Sequence, residues 1–141
     1  MKYHYTVPGD DITCAGKASS EIKKILQRLG IAPEIIKRTA VAMYEAEMNM
    51  VVHAGGGTAD VDIGTDRITI VMKDEGPGIE NIELAMQDGY STAPDVAREM
   101  GFGAGMGLPN MKRNADDFRI ESKPGEGTTV TMQINIQDGG T

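Results

Sequence analysis

The segment Gly101-Phe102-Gly103-Ala104-Gly105-Met106-Gly107 places glycine at every second position, which excludes both a stable helix and a packed strand there. Glycine loses the most backbone entropy on folding and brings no side chain to a core. A chain uses it repeatedly where the backbone takes an unusual path or where a ligand approaches the main chain. A phosphate-binding loop is therefore the first chemistry to test. Other glycine clusters stand at 55–57, 76–78 and 125–127, and together they account for much of an unusually high total of 18 glycines.

The 141 residues fit one domain, large enough for a single core and too short for two. A net charge of -7 lacks the basic footprint of general nucleic-acid binding, so DNA and RNA are not expected partners. A single cysteine, Cys14, excludes an internal disulfide framework and a Cys-based zinc site and fits a reducing compartment. The sequence shows no apolar run approaching about 18 residues and no charged-then-apolar leader. The expectation is a cytoplasmic protein with no membrane span.

Tyr3 to Val7 reads as an opening strand ended by a Pro8-Gly9-Asp10 turn. Ala15, Ala18, Ile22, Ile25, Leu26 and Leu29 recur at helical spacing, with Gly30 placed to cap the end. Pro33 and Glu34 open a second helix expected to reach about Ala54, where the triple glycine stops it. Val61 to Thr65 and Arg67 to Asp74 predict an antiparallel pair around Thr65-Asp66. Residues 82–107 read as a lid with some helix inside, and Leu108 to Ala115 as a further helix. Strands near Phe118 to Ser122 and Thr128 to Ile136 follow, and 137–141 read as a frayed tail. The fold expected is an α/β two-layer sandwich, with a mixed, mostly antiparallel sheet and helices on one face. Ten methionines without tryptophan are read as core filling.

Glu45, Asn49 and His53 follow one another at four-residue spacing along the second helix, drifting about 40° per step. Apolar residues flank this polar stripe. It offers a carboxylate base, a neutral oxygen ligand and an imidazole toward one cleft. Glu47 points well away from Glu45 and does not serve the same site. The plainer alternative keeps Glu45 and Asn49 as surface groups and His53 as a hydrogen-bonded residue near the helix end.

Asp74 ends a strand just before Gly76-Pro77-Gly78, so its carboxylate stands at a sheet edge beside backbone that a flat ring can approach. A carboxylate there accepts the exocyclic amino hydrogen of adenine and repels the carbonyl of guanine. A simple Asp-Gly turn is the alternative. The run at 101–107, leading into a helix from Leu108, offers backbone N–H groups and a helix dipole to phosphate, with Lys112, Arg113 and Arg98 as added charges. It lacks the Gly-Lys-Ser/Thr ending of a P-loop and the strand context of a dinucleotide fingerprint.

Taken in order, Glu45-x3-Asn49-x3-His53, Asp74-x-Gly76-x-Gly78, Gly103-x-Gly105-x-Gly107-Leu108 and Gly125-x-Gly127-Thr128 resemble the N box and the three glycine boxes of the Bergerat-fold (GHKL) ATPases. Within that superfamily the chain is most similar to the small anti-sigma regulatory factor and stressosome switch serine/threonine kinases. The resemblance implies ATP and Mg2+ as cofactors, with Asn49 on the metal and Asp74 on adenine. Gly76, Gly78 and Ile79 would lie against the ring and ribose. Gly101, Gly103, Gly105, Gly107 and Leu108 would form the phosphate loop, and Thr128 would support the adenine pocket. His53 would support the geometry of Glu45 and Asn49, with Glu45 as the catalytic base.

The function implied is phosphorylation of a small regulatory protein, an anti-anti-sigma-like substrate, by an ATP-Mg2+-dependent kinase. Two alternatives stay open. One is a non-catalytic ATP-gated module that binds a partner such as a sigma factor, and the other is a histidine-kinase catalytic domain acting in trans. Relatives in the superfamily often dimerise, and no sequence feature fixes such an interface here.

Overall fold

Ile68, Ile70 and Met72 are buried and alternate with Arg67, Thr69, Val71 and Lys73, which face outward to differing degrees. The same period of two places Val130, Met132 and Ile134 on the inner side of another strand and Ala59, Val61 and Ile63 on that of a third. A sheet with one apolar face must cover it, and here helices do so. The computed structural model describes residues 1–8, 16–51, 55–76, 107–123 and 125–136.

The strands are β1 (Lys2–Pro8), β2 (Gly56–Ile63), β3 (Arg67–Lys73), β4 (Asp117–Lys123) and β5 (Gly127–Asn135). The helices are α1 (Lys17–Arg28), α2 (Pro33–Asn49) and α3 (Gly107–Asn114). Sheet order is β1-β2-β3-β5-β4. All four pairings are antiparallel, so the expected mixed, mostly antiparallel sheet contains no parallel pair among the described residues.

Ile22 and Leu26 of α1, Met43 of α2 and Met111 of α3 meet the inner face of the sheet in one core. Met43, Met48, Met50, Met72, Met111 and Met132 fill the core as expected, whereas Met1 is exposed and Met86, Met100 and Met106 lie outside the described residues. α1 ends as Gly30 suggests. The Ile31 N–H donates to Leu26 C=O at 3.1 Å and the Gly30 N–H to Gln27 C=O at 3.2 Å, the two bonds of a Schellman cap.

Three boundaries differ from those expected. β1 includes Pro8, which pairs with Gly56; an edge strand tolerates a residue that lacks a donor. β2 starts at Gly56, five residues before Val61, and ends at Ile63. Glycines 56 and 57 read as helix breakers, yet they belong to the sheet because a Cβ at Gly57 would collide with the Lys73 carbonyl oxygen. α2 is regular to Asn49, and Met50 and Val51 then wind as a π-turn; the remainder of the expected helix, 52–54, lies outside the described residues.

Candidate functional site

β3 ends at Lys73, and Asp74 follows at the end of its pairing with β5. The Asp74 N–H donates to Thr128 C=O at 2.9 Å, and the Thr128 N–H returns a bond to Asp74 Oδ1 at 3.1 Å. Gly76 N–H donates to the same oxygen at 3.0 Å, closing a local turn. These bonds fix the carboxylate and load only one of its oxygens. Oδ2 has no hydrogen-bond partner among the described residues.

Gly127 makes this approach sterically possible. Its φ is 97°, and a Cβ there would collide with the Asp74 carbonyl oxygen and stand 2.9 Å from Glu75 Cα. The Ser122 hydroxyl donates to Gly127 C=O at 3.1 Å and lies 2.8 Å from Thr128 Oγ1. Since Ser122 has one hydroxyl hydrogen, the Thr128 hydroxyl is the donor between them. Asp74, Gly76 and Thr128 are thus assembled as one unit. Ser122, absent from the sequence motifs, braces it from β4.

Glu45 is half-buried on α2, and Asn49 follows one turn later, also half-buried. Burial pushes the Glu45 carboxyl above its ordinary range, while the Asn110 amide of α3 acts in the opposite sense. Asn110 is itself held by the Arg113 guanidinium, which donates to Asn110 Oδ1 at 3.1 Å. Lys112 and Arg113, expected to add charge from this helix, fall in its last turn, where cations complement the helix dipole. Gly107 opens α3 and Leu108 behind it is buried in the common core.

A groove of about 770 Å³ runs between α1 and α2, with Tyr44 and Glu45 on one wall and Gly16, Ser20, Lys23 and Lys24 on the other. Glu45 can therefore be reached from the α1 side. Glu47 points away from Glu45 as helix geometry requires, and its carboxylate binds the start of α1. Sequence reasoning gave Glu47 no role. A partial signal existed, since Gly16 at the N-cap has no side chain and the first turn of α1 holds no acidic residue.

His53, Gly78, Ile79, Arg98, Gly101, Gly103 and Gly105 lie outside the described residues. Among the described residues no group of three or more His, Cys, Asp or Glu side chains converges on a metal position. Among the described residues Asp74 is held through Oδ1 alone, and a carboxylate with its second oxygen without a described partner is a donor set compatible with the amino group of a nucleotide base.

Strand order, helices on one face and this aspartate beside a glycine-bordered turn define a histidine kinase-like ATPase domain, and residues 10–134 match that family. The chain belongs to it. Among its relatives is the serine/threonine-protein kinase RsbT of Bacillus subtilis, 33% identical over 112 residues that cover 77% of this chain and 78% of that one. The anti-sigma F factor of Clostridium acetobutylicum is 37% identical over 105 residues, covering 71% and 70%. A structure of RsbU and RsbW domains from Mycobacterium tuberculosis superposes with a TM-score of 0.65 over 95% of this chain and 32% of that one, at 18% identity. That likeness is one of fold.

Proposed function

We propose that this chain is an ATP- and Mg2+-dependent serine/threonine kinase that phosphorylates a small regulatory protein. The observation that carries the proposal is Glu45, a half-buried carboxylate whose proton affinity is raised by burial, one helical turn from Asn49. Its relative RsbT is named a serine/threonine-protein kinase.

In this reading Asp74 Oδ2 accepts the amino hydrogen of adenine while Thr128 and Gly76 keep the carboxylate from turning away. Asn49 Oδ1 would be the protein's ligand to Mg2+, a cation that needs few protein oxygens. The loop from Gly101 to Gly107 and the start of α3 take the phosphates. ATP supplies the phosphoryl group and Mg2+ offsets its charge. The acceptor hydroxyl oxygen bonds to the γ-phosphorus, the bond to the departing ADP oxygen breaks, and the hydroxyl proton passes to Glu45. A base in this role works best with a pKa near the operating pH, and partial burial moves Glu45 in that direction.

The anti-sigma factors among the relatives favour a second reading, in which ATP orders the protein to bind a partner without transfer. Incubation with γ-labelled ATP and the regulatory proteins encoded beside it separates the two. Acid-stable label on the partner that disappears in Glu45→Gln supports the kinase. Capture of the partner without label supports the binder, and acid-labile label points to histidine phosphorylation.

A further inference from the structure

Among the described residues helix α1 begins without a side-chain cap of its own. Gly16 occupies the N-cap position with φ of 97°, and the first turn holds no acidic residue. Three amide groups there are nonetheless satisfied, all by one carboxylate from the other helix. Glu47 Oε2 accepts from Gly16 N–H at 3.0 Å and Ala18 N–H at 3.2 Å, and Oε1 accepts from Ser19 N–H at 2.7 Å. Glu47 is 1% exposed. An isolated carboxylate at that depth would be strongly unfavourable, whereas three donors at the positive end of a helix make it tenable.

Gly16 is gripped a second time. The Tyr44 ring lies so close that a Cβ at Gly16 would stand 3.1 Å from Tyr44 Cε1. Tyr44 and Glu47 are three residues apart and share one side of α2. Glu45 is the next residue after Tyr44, about 100° around the helix, and lines the groove whose other wall is the start of α1.

We infer that Glu47, together with the Tyr44 ring, is a positioning residue for the proposed base: by clamping Gly16 it fixes the rotation of α2 and the width of the groove, and so the direction in which Glu45 presents its carboxylate. The inference rests on Glu45 acting as the base. An apolar residue at 47 would fill the space but leave three amides without partners. Glutamine keeps the shape, yet it offers one acceptor oxygen in place of two and turns an amino group toward backbone N–H groups.

The test uses the full chain with Glu47→Gln, Tyr44→Leu and Tyr44→Phe. Three readings are taken: phosphotransfer from γ-labelled ATP at saturating nucleotide, calorimetric affinity for the Mg2+ complex of a non-hydrolysable ATP analogue, and carbon-detected NMR titration of the Glu45 carboxyl. Glu47→Gln and Tyr44→Leu are expected to bind the analogue within about two-fold of wild type and to transfer at least about ten-fold more slowly, as misplacement of a reacting group predicts. In both, the Glu45 titration moves down toward the ordinary glutamate range, and Tyr44→Phe, which keeps the ring, retains both wild-type rate and titration.

Wild-type transfer and an unchanged Glu45 titration in both Glu47→Gln and Tyr44→Leu would overturn the inference. So would a rate loss matched by an equal loss of analogue affinity, the mark of general damage. If Glu47→Gln does not fold, Tyr44→Leu decides, because Tyr44 is 37% exposed and its replacement strands no buried charge. If wild type transfers nothing, or transfers equally as Glu45→Gln, the kinase reading has failed, and the Glu45 titration alone decides the clamp.

Discussion

A carboxyl group that burial discourages from ionising takes up a proton more readily than one in water, and Glu45 is such a group. As a base it must be ionised, so transfer is expected to rise with pH through its elevated pKa and then level off. Glu45→Gln removes both the activity and that limb of the profile. Stability moves the other way. A carboxyl whose folded pKa exceeds its unfolded value imposes a penalty that is full above the folded pKa and vanishes below the unfolded one. Glu45→Gln is therefore expected to stabilise the protein at pH 7.5 by on the order of 0.5 kcal/mol, kept small by solvent screening at a half-open site. Urea titrations at pH 7.5 and pH 4 should show the gain at the first pH and little of it at the second. At the other end of the site, Asp74→Asn still accepts from Gly76 and Thr128 through Oδ1 but presents an amide donor where Oδ2 was. ATP affinity should fall by about ten-fold or more while GTP affinity holds or improves, because the new donor would face adenine's amino group and suit guanine's carbonyl. Calorimetry with the two nucleotides checks this, and unchanged selectivity would remove Asp74 from the adenine site.

Elements are joined here by polar ties that single-residue patterns do not reveal. Arg38 of α2 donates to Asn114 C=O at 3.1 Å and pairs with Asp116 at 3.0 Å, while Asp116 Oδ2 accepts from Asn135 N–H at 2.7 Å. Desolvation raises the Asp116 pKa, but the Asn135 N–H and the Arg38 guanidinium outweigh it and the net shift is downward. A depressed folded pKa contributes stability that is present above the unfolded value and lost as pH falls through the folded one. Asp116→Asn is thus expected to cost about 0.5 kcal/mol at pH 7, less in high salt, and to converge with wild type as pH falls through the depressed folded pKa, as followed by urea denaturation. The helical periodicity of α1 and α2 and the alternation within β3 and β5 were legible because burial on one face writes a period into the sequence. The start of β2 was not, since Gly56 and Gly57 carry no side chain to show a period. Glu47 escaped for another reason: an acid at one helical position says nothing about three amides on a different helix. Asp74 and Thr128 were both legible as residues, whereas the two bonds joining them, one between backbones and one from the Thr128 N–H to the Asp74 carboxylate, depend on strand order. That order was left open by every local pattern.

At the scale of the molecule, charge and topology divide the work. A net charge of -7 coexists with a groove beside Glu45 that carries Lys17, Lys23 and Lys24 along with Glu21, so the approach to the proposed base mixes both signs on an acidic protein. Topology has a kinetic meaning. β2–β3 closes over Gly64 to Asp66 and β4–β5 over Pro124 to Glu126, both short loops that form early and cheaply in entropy. The seam between β3 and β5, where Lys73 pairs with Thr129 across the whole glycine-rich stretch, carries a far longer closure. Contacts made after the folding barrier act on the rate of unfolding and leave the rate of folding nearly unchanged. Stopped-flow chevrons with and without an ATP analogue should then show a slower unfolding arm and an unaltered folding arm, and an accelerated folding arm would place the seam in the nucleus instead. The two bonds between Asp74 and Thr128 lie at the end of that seam; if the proposed adenine contact of Asp74 holds and the seam closes last, nucleotide would govern how long each molecule stays folded, and the proposed base-reading carboxylate would set the time available to find a partner.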